Sequence, residues 1–181
     1  MPVYYTTQYD SPVGRLTLCG SGEALAGLWL EGQKYFGGSI AGEMEPGEDL
    51  PVFDRVRSWL DQYFAGKQPP VDTLPLSPAG GEFRQAVWSI LREIPYGQVL
   101  TYGAIARRIA AQQGRTTLPA QAVGGAVAHN PISILIPCHR VVGTSGSLTG
   151  YAGGIEKKIW LLEHEGVEVS RFFVPKGREG D

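Results

Sequence analysis

The sequence predicts an α+β fold in two parts, and three observations predict it. The first thirty residues alternate apolar and polar side chains between Gly- and Pro-containing turns, the pattern of a β-meander. From Phe83 onward apolar residues recur at helical spacing. Between the two, Val71–Gly81 carries Pro75, Pro78 and the pair Gly80-Gly81, and reads as a linker. The division expected is an α/β domain over 1–80 and a mainly helical domain over 81–181. At 181 residues there is enough chain for a core in each.

In the first part, Val3–Tyr9 is rich in Tyr and Thr, and Ser11-Pro12-Val13-Gly14 is a turn. Arg15–Cys19 alternates, Gly20-Ser21-Gly22-Glu23 turns again, and Ala24–Leu30 is an apolar strand. Gly37–Asp49 is rich in Gly and Glu and reads as a loop. Val52, Phe53, Val56, Trp59, Leu60, Tyr63 and Phe64 then follow helical spacing, with Pro51 near the start and Gly66 at the stop.

In the second part, Phe83, Ala86, Val87, Ile90, Leu91 and Ile94 form an apolar stripe that Pro95 ends. Thr101 can cap a helix carrying Ile105 and Ile109. Pro119 suits the first turn of a helix over Ala120–His129 that Asn130-Pro131 terminates. Two short helices, roughly 101–111 and 119–129, fit a helix-turn-helix, although the connection over 112–118 is longer than the usual turn. The adjacent Gly124 and Gly125 weaken the second helix by about 1 kcal/mol each; in return they allow close approach of a neighbouring helix or of a DNA groove. Ile132–Ile136 reads as a short strand or extended run. Gly143–Gly154 is a glycine-rich loop, and Ile155, Ile159 and Leu162 line a last helix that Gly166 stops.

The composition, 43% hydrophobic and 19% charged, is that of a soluble globular protein. No apolar run approaches the roughly 20 residues that span a bilayer. The N-terminus lacks the basic and apolar regions of a signal peptide. Two cysteines make no disulfide framework, so a reducing, cytoplasmic setting is expected, or a nuclear one in a eukaryote. The net charge of −2 is unevenly spread. Residues 1–80 hold five Lys and Arg against ten Asp and Glu, whereas 99–160 hold Arg107, Arg108, Arg115, Arg140, Lys157 and Lys158 against Glu156 alone. The second half therefore suits a polyanion.

Candidate chemistry sits at Ile136–Val142, Ile-Pro-Cys-His-Arg-Val-Val. Pro137 lacks an N–H and favours a turn that presents Cys138. A thiol attacks as thiolate, and a nearby imidazole, His139, helps to form one directly or through a water. A carboxylate orienting the imidazole would complete the relay, with Glu163, Glu165 and Glu168 as candidates. Arg140 reads as a structural ion-pair partner and Cys19 as a packed strand residue. Trp29, Trp59, Trp88 and Trp160 read as core or half-buried, and His129 and His164 as surface residues.

The segment Asn130-Pro131-Ile132-Ser133-Ile134-Leu135-Ile136-Pro137-Cys138-His139-Arg140-Val141-Val142-Gly143 resembles the active-site signature of the O6-alkylguanine-DNA alkyltransferases. Ala122-Val123-Gly124-Gly125-Ala126 resembles their recognition helix, and Gly150-Tyr151-Ala152-Gly153-Gly154 their substrate-pocket loop. Lys158 with Leu161-Leu162-Glu163-His164-Glu165-Gly166 resembles their last helix. Phe83, Val87-Trp88, Ile94-Pro95-Tyr96-Gly97 and Thr101-Tyr102 resemble the pattern upstream. The similarity is close over 83–166 and looser from Ser11-Pro12-Val13-Gly14 through the following strands.

The resemblance implies a ribonuclease H-like N-terminal domain and a winged-helix-like, DNA-binding C-terminal domain. It implies a monomer that binds double-stranded DNA, flips out an O6-alkylguanine and moves the alkyl group irreversibly onto Cys138, without a cofactor. By match, His139 is the water-mediated base and Glu165 orients it. Tyr102 rotates the phosphate and donates a proton. Asn130 ties the recognition helix to the active-site turn, and Val141, Tyr151 and Ala152 line the guanine pocket. The size of that pocket sets whether bulkier alkyl groups or O4-alkylthymine are also taken. Ala122, Gly124 and Gly125 meet DNA. Gln121 stands where the family often has an intercalating arginine, with Arg115 nearby as a compensating charge. The N-terminal part has one cysteine and no histidine, so no zinc site is expected. Two other readings remain: alkyltransferase-like binders, which lack the acceptor cysteine that this chain has, and a winged-helix module with an inert thiol.

Overall fold

The computed structural model describes residues 3–37, 44–47, 49–116, 118–148 and 151–175. The chain forms two compact units, Met1–Ala79 with Pro131–Leu135, and Gly80–Asn130 with Ile136–Asp181. The first break between the units in the sequence falls after Ala79, and the later segment Pro131–Leu135 belongs with the first unit.

In the first unit, β1 (Tyr4–Ser11), β2 (Gly14–Ser21) and β3 (Ala24–Leu30) pair antiparallel as the meander predicted. A fourth strand, β4 (Met44–Pro46), pairs parallel with the free edge of β1, for a sheet order β3-β2-β1-β4. This corrects the expected loop over Gly37–Asp49, of which 38–43 and 48 lie outside the described residues. All three β4 residues are exposed, so no period-2 apolar pattern marks them in the sequence. Helix α1 (Pro51–Phe64) buries Val52, Phe53, Val56, Trp59, Leu60 and Tyr63, the stripe read from spacing. Leu16, Leu18, Leu28 and Leu30 of the sheet are fully buried and complete this core.

Two expectations yield to backbone hydrogen bonding. The Pro-rich segment is not a free linker: the Leu25 N–H donates to the Pro75 carbonyl (2.8 Å) and the Ser77 N–H to the Leu25 carbonyl (2.7 Å). Nor is Ile132–Ile136 a strand. Ile132 bridges β3, with the Leu28 N–H donating to Pro131 O (2.9 Å) and the Ser133 N–H to Leu28 O (3.0 Å). The chain then turns sharply, the Leu135 N–H donating to Ser133 O (2.8 Å) about Ile134 at φ 70°. This is a γ-turn with a β-branched residue at its centre, costing roughly 1–2 kcal/mol. Burial of Ile132, Ile134 and Leu135 holds it in place, and that continuous apolarity is what made the segment read as extended.

In the second unit, α2 (Glu82–Leu91), α3 (Tyr102–Gln112) and α4 (Ala120–Ala128) pack on one another. Trp88 anchors α4, its Nε1–H donating to the Ala126 carbonyl at 2.8 Å. Thr101 caps α3 as expected, its Oγ1 accepting from the Ala104 N–H at 3.0 Å. Pro119 stands just before α4, in extended conformation, rather than inside its first turn. Short strands β5 (Leu100–Thr101) and β6 (Val141–Val142) pair parallel. Helix α5 (Ile155–His164) packs Leu162 with Val142 and Leu148.

Candidate active site

Two adjacent pieces of local geometry present the thiol. Pro137 adopts φ −80°, ψ 67°, and the Cys138 N–H donates to Ile136 O at 2.8 Å, an inverse γ-turn. A single 3₁₀ turn, Cys138–Arg140, follows and runs into β6. Asn130, just after α4, donates from Nδ2 to the Ile136 carbonyl at 2.7 Å. The helix end and the cysteine turn are thereby joined by a buried hydrogen bond. Cys138 itself is buried.

Behind the thiol lies a buried charge network. His139 is fully buried, and its Nε2 is 2.7 Å from Glu165 Oε2. Arg140 clamps the same carboxylate with Nε to Oε1 (2.8 Å) and Nη2 to Oε2 (3.0 Å), and its Nη1 donates to the Ile94 carbonyl (2.7 Å). The Gly97 N–H adds a further donor to Oε1 at 3.1 Å. Of the three carboxylates left open by the sequence, Glu163 and Glu168 are exposed; Glu165 is the one that meets the imidazole.

Burial holds the His139 imidazole below its ordinary range, aided by the charges of Arg140 and Lys158 and opposed by Glu165. Burial alone would raise Glu165, but its bonds to His139 and Arg140 outweigh that and hold it well below the usual carboxylate range. With the imidazole neutral, Arg140 is the charge that keeps Glu165 ionised. A carboxylate at Nε2 requires Nε2–H, so Nδ1 carries the lone pair and is the basic nitrogen. Among the described residues no protein group hydrogen-bonds to Nδ1.

Both shifts make the fold sensitive to acid. Each folded value lies below the unfolded one, so the unfolded chain takes up protons that the native state refuses. Stability should fall as pH drops below about 6.5 for His139, and further below about 4.3 for Glu165. Thermal unfolding followed from pH 8 to pH 5 should show a declining midpoint; a flat profile would contradict the buried network.

Gly97 is a residue whose importance the sequence did not announce beyond its place in Ile94-Pro95-Tyr96-Gly97. Its φ is 77°, and a Cβ there would lie 3.0 Å from the Glu165 carbonyl oxygen. Gly97→Ala is expected to cost roughly 1–2 kcal/mol from backbone strain alone and to loosen Glu165. Denaturant unfolding of the variant checks this.

Around the thiol, Tyr102 opens α3, and its phenol is pushed up by burial and then by the charge of Cys138. Tyr151 is buried with its ring edge-on to His139 (6.5 Å between centroids), Val141 is buried, and Ala152 is half-buried. Gly150 lies outside the described residues. Among the described residues no three His, Cys, Asp or Glu side chains group as metal ligands.

The outer face of α4 is open. Gln121, Ala122 and Gly125 are exposed, and a Cβ on Gly124 or Gly125 would meet nothing within 4 Å. Among the described residues no neighbouring helix requires either glycine. Arg107 and Arg115 are exposed as expected for a polyanion-facing surface. Other cations counted toward that surface are not available: Arg140 and Lys158 are buried, and Arg108 pairs with Glu93 at 2.9 Å. Sequence spacing cannot tell a surface cation from one consumed by a buried network.

A buried cysteine next in sequence to a carboxylate-held imidazole, in a unit whose helix pair leaves a small-residue face open, is an arrangement that can support thiol-nucleophile chemistry of the Cys–His–carboxylate class. Comparison with known proteins identifies the class further. Residues 82–167 match the 6-O-methylguanine DNA methyltransferase DNA-binding domain, and residues 3–78 match the ribonuclease-like domain of the same proteins. The Haemophilus influenzae methylated-DNA–protein-cysteine methyltransferase is 41% identical over 99% of this chain and 93% of its own length. The crystal structure of Mycobacterium tuberculosis OGT in complex with DNA superposes with a TM-score of 0.73 at 42% identity, covering 94% of each chain. That of the M. tuberculosis O6-methylguanine methyltransferase gives 0.72 at 43%, covering 97% of this chain and 96% of that one. This chain belongs to the 6-O-methylguanine DNA methyltransferase family.

Proposed function

We propose that this chain reverses DNA alkylation directly, taking the alkyl group of O6-alkylguanine onto Cys138. The observation that carries the reading is the Cys138 turn backed by His139, Glu165 and Arg140 within a chain of this family. It acts on double-stranded DNA, in whichever compartment holds that DNA.

The geometry supports the following chemistry. The Cys138 proton passes through a water to His139 Nδ1, leaving thiolate. Sulfur attacks the alkyl carbon, the C–O6 bond breaks, and its electron pair leaves with the guanine. Tyr102, kept protonated by its raised pKa, supplies the proton that neutralises the departing base. The proton gained by His139 balances the one lost by Tyr102, and exchange with solvent restores both. A thioether has no group beside it to return the thiol, so each chain works once. Val141, Tyr151 and Ala152 enclose the flipped base, and Asn130 keeps the α4 end in register with the cysteine turn. Ala122, Gly124 and Gly125 let α4 lie close in the groove, and Arg115 adds charge for phosphate.

The test is to incubate the protein with duplex DNA containing O6-methylguanine, then digest and weigh both partners. One methyl per chain on Cys138, with guanine restored in the DNA, is expected. DNA binding without a methylated protein, or methylation at Cys19, would overturn the proposal. A narrower prediction concerns the exposed Gln121, which enters the stack in place of the flipped base. Gln121→Arg should tighten binding and steepen its salt dependence by about one charge. An unchanged affinity would remove residue 121 from the stack.

A further inference from the structure

The chain beyond α5 takes no part in the chemistry above, yet it is bonded into the segment that joins Val141 to Tyr151. After β6 that segment makes a tight turn. The Gly143 N–H donates to the Ser147 carbonyl (2.8 Å) and the Gly146 N–H to the Gly143 carbonyl (2.9 Å). Glycine suits both positions: Gly146 has φ 92°, and a Cβ on Gly143 would lie 3.1 Å from that of Ser147. The incoming end of the turn is held by β5, which pairs with Val141 and Val142. The outgoing end is held by the C-terminal segment, which returns to it after a single 3₁₀ turn, Val169–Arg171. There the Phe173 N–H donates to the Gly146 carbonyl (3.1 Å), and the Leu148 N–H donates to the Phe173 carbonyl (2.8 Å). Ser147 and Phe173 form a parallel bridge. One residue earlier, Phe172 packs against the buried cluster of Val142, Leu148 and Leu162. Phe173 and Val174 are themselves half exposed, so their own burial does not account for their position; the backbone bonds and the Phe172 ring do.

We propose that Phe172 and Phe173 are positioning residues that set substrate specificity: they clasp the turn Gly143–Leu148 and so fix where the chain sets out toward Tyr151. Tyr151 follows Leu148 by three residues, and Thr149, like Gly150, lies outside the described residues. The proposal rests on the reading of Cys138 as alkyl acceptor and of Val141 and Tyr151 as walls of its pocket. A pocket discriminates between alkyl groups by how closely its walls meet the group in the transition state. A wall released from its anchor gives up contacts to a small group and makes room for a large one. Loss of the clasp should therefore weaken the preference for methyl over benzyl.

The test is single-turnover transfer with protein in excess over duplex DNA carrying either O6-methylguanine or O6-benzylguanine. Phe173→Pro removes the N–H that bonds to Gly146, and proline tolerates the extended residue before it, Phe172 at φ −119°, ψ 171°. Phe173→Ala keeps both backbone bonds and loses only the half-exposed ring. The proline variant should raise the benzyl-to-methyl rate ratio about fivefold, the worth of one net hydrogen bond, and the alanine variant should keep the wild-type ratio. A general loss of stability slows both substrates alike and leaves the ratio where it was. An unmoved ratio in the proline variant overturns the proposal, as does an equal shift in the alanine variant, which would assign the effect to the exposed ring. Should the proline variant fail to fold, Phe172→Ala decides by the same ratio, because it releases the ring that seats the clasp on Leu148; Phe172→Leu should restore the wild-type value. An unmoved ratio in Phe172→Ala overturns the proposal too. Failure of the repair reading would show separately, as no alkyl transfer from either DNA by the wild type.

Discussion

Cys138→Ser should bind O6-methylguanine DNA as the wild type does and transfer nothing measurable, a loss of at least about a thousandfold of the kind that follows removal of a nucleophile. The substitution changes one atom of a buried residue and leaves the turn at Pro137 and the bond from Asn130 to Ile136 intact. What it removes is the capacity to ionise. A thiol near pKa 8.5 can be brought to thiolate by a neutral imidazole base, whereas an alcohol is far weaker as an acid and as a nucleophile toward saturated carbon. Intact-mass measurement after incubation, with a parallel binding assay, checks both halves. Methyl transfer by the serine variant would sink the assignment, and so would loss of DNA binding together with loss of transfer.

The second large effect is expected at Glu165. Its carboxylate accepts from the His139 ring, from the Arg140 fork and from the Gly97 N–H, and its side chain is fully buried. Glu165→Gln replaces one of the two acceptor oxygens by an NH2 donor. If that NH2 faces His139, Nε2 must accept, and the ring proton moves to Nδ1, the position where the base is needed. If it faces Arg140, donor meets donor. Either way the guanidinium loses its counter-charge in a nearly dry site, a cost of about 3–5 kcal/mol. Transfer should slow on the order of a hundredfold or more, the usual worth of a general base. DNA affinity should stay near that of the wild type, because the open face of α4 is untouched. Single-turnover rates and denaturant unfolding measure the two effects. A wild-type rate in a destabilised protein would show that Glu165 supports the fold and not the relay.

Much of this site was legible in one dimension. Cys138, His139, Tyr102, Asn130, Val141 and Tyr151 were all picked out by motif, and the structure brings them around one turn. Glu165 was one of three carboxylates that chemistry alone left open; the match to the family's last helix singled it out. Less legible were the buried charges around it. Arg140 reads as a structural ion-pair partner, and its fork on Glu165 bears that out; what the sequence does not name is the partner. Lys158 adds to the positive charge of the second half in the sequence, whereas in the fold it is buried and bonded to the Val141 carbonyl. The strand β4 and the γ-turn at Ile134 escaped for opposite reasons: the first has no buried face to leave a pattern, and the second is apolar throughout.

By itself, then, the sequence determined what recurs along the chain: the antiparallel meander, the amphipathic helices, the caps and stops at Thr101, Gly66 and Gly166, and the candidate thiol with its adjacent imidazole. Only the tertiary structure decided which charges meet. It chose Glu165 over Glu163 and Glu168, placed Arg140 and Lys158 inside rather than outside, and joined Pro131–Leu135 to the first unit. Periodicity reports the surroundings of a residue averaged over its own element. Charge networks are built between elements distant in sequence, where burial and a few tenths of an ångström set their sign and strength.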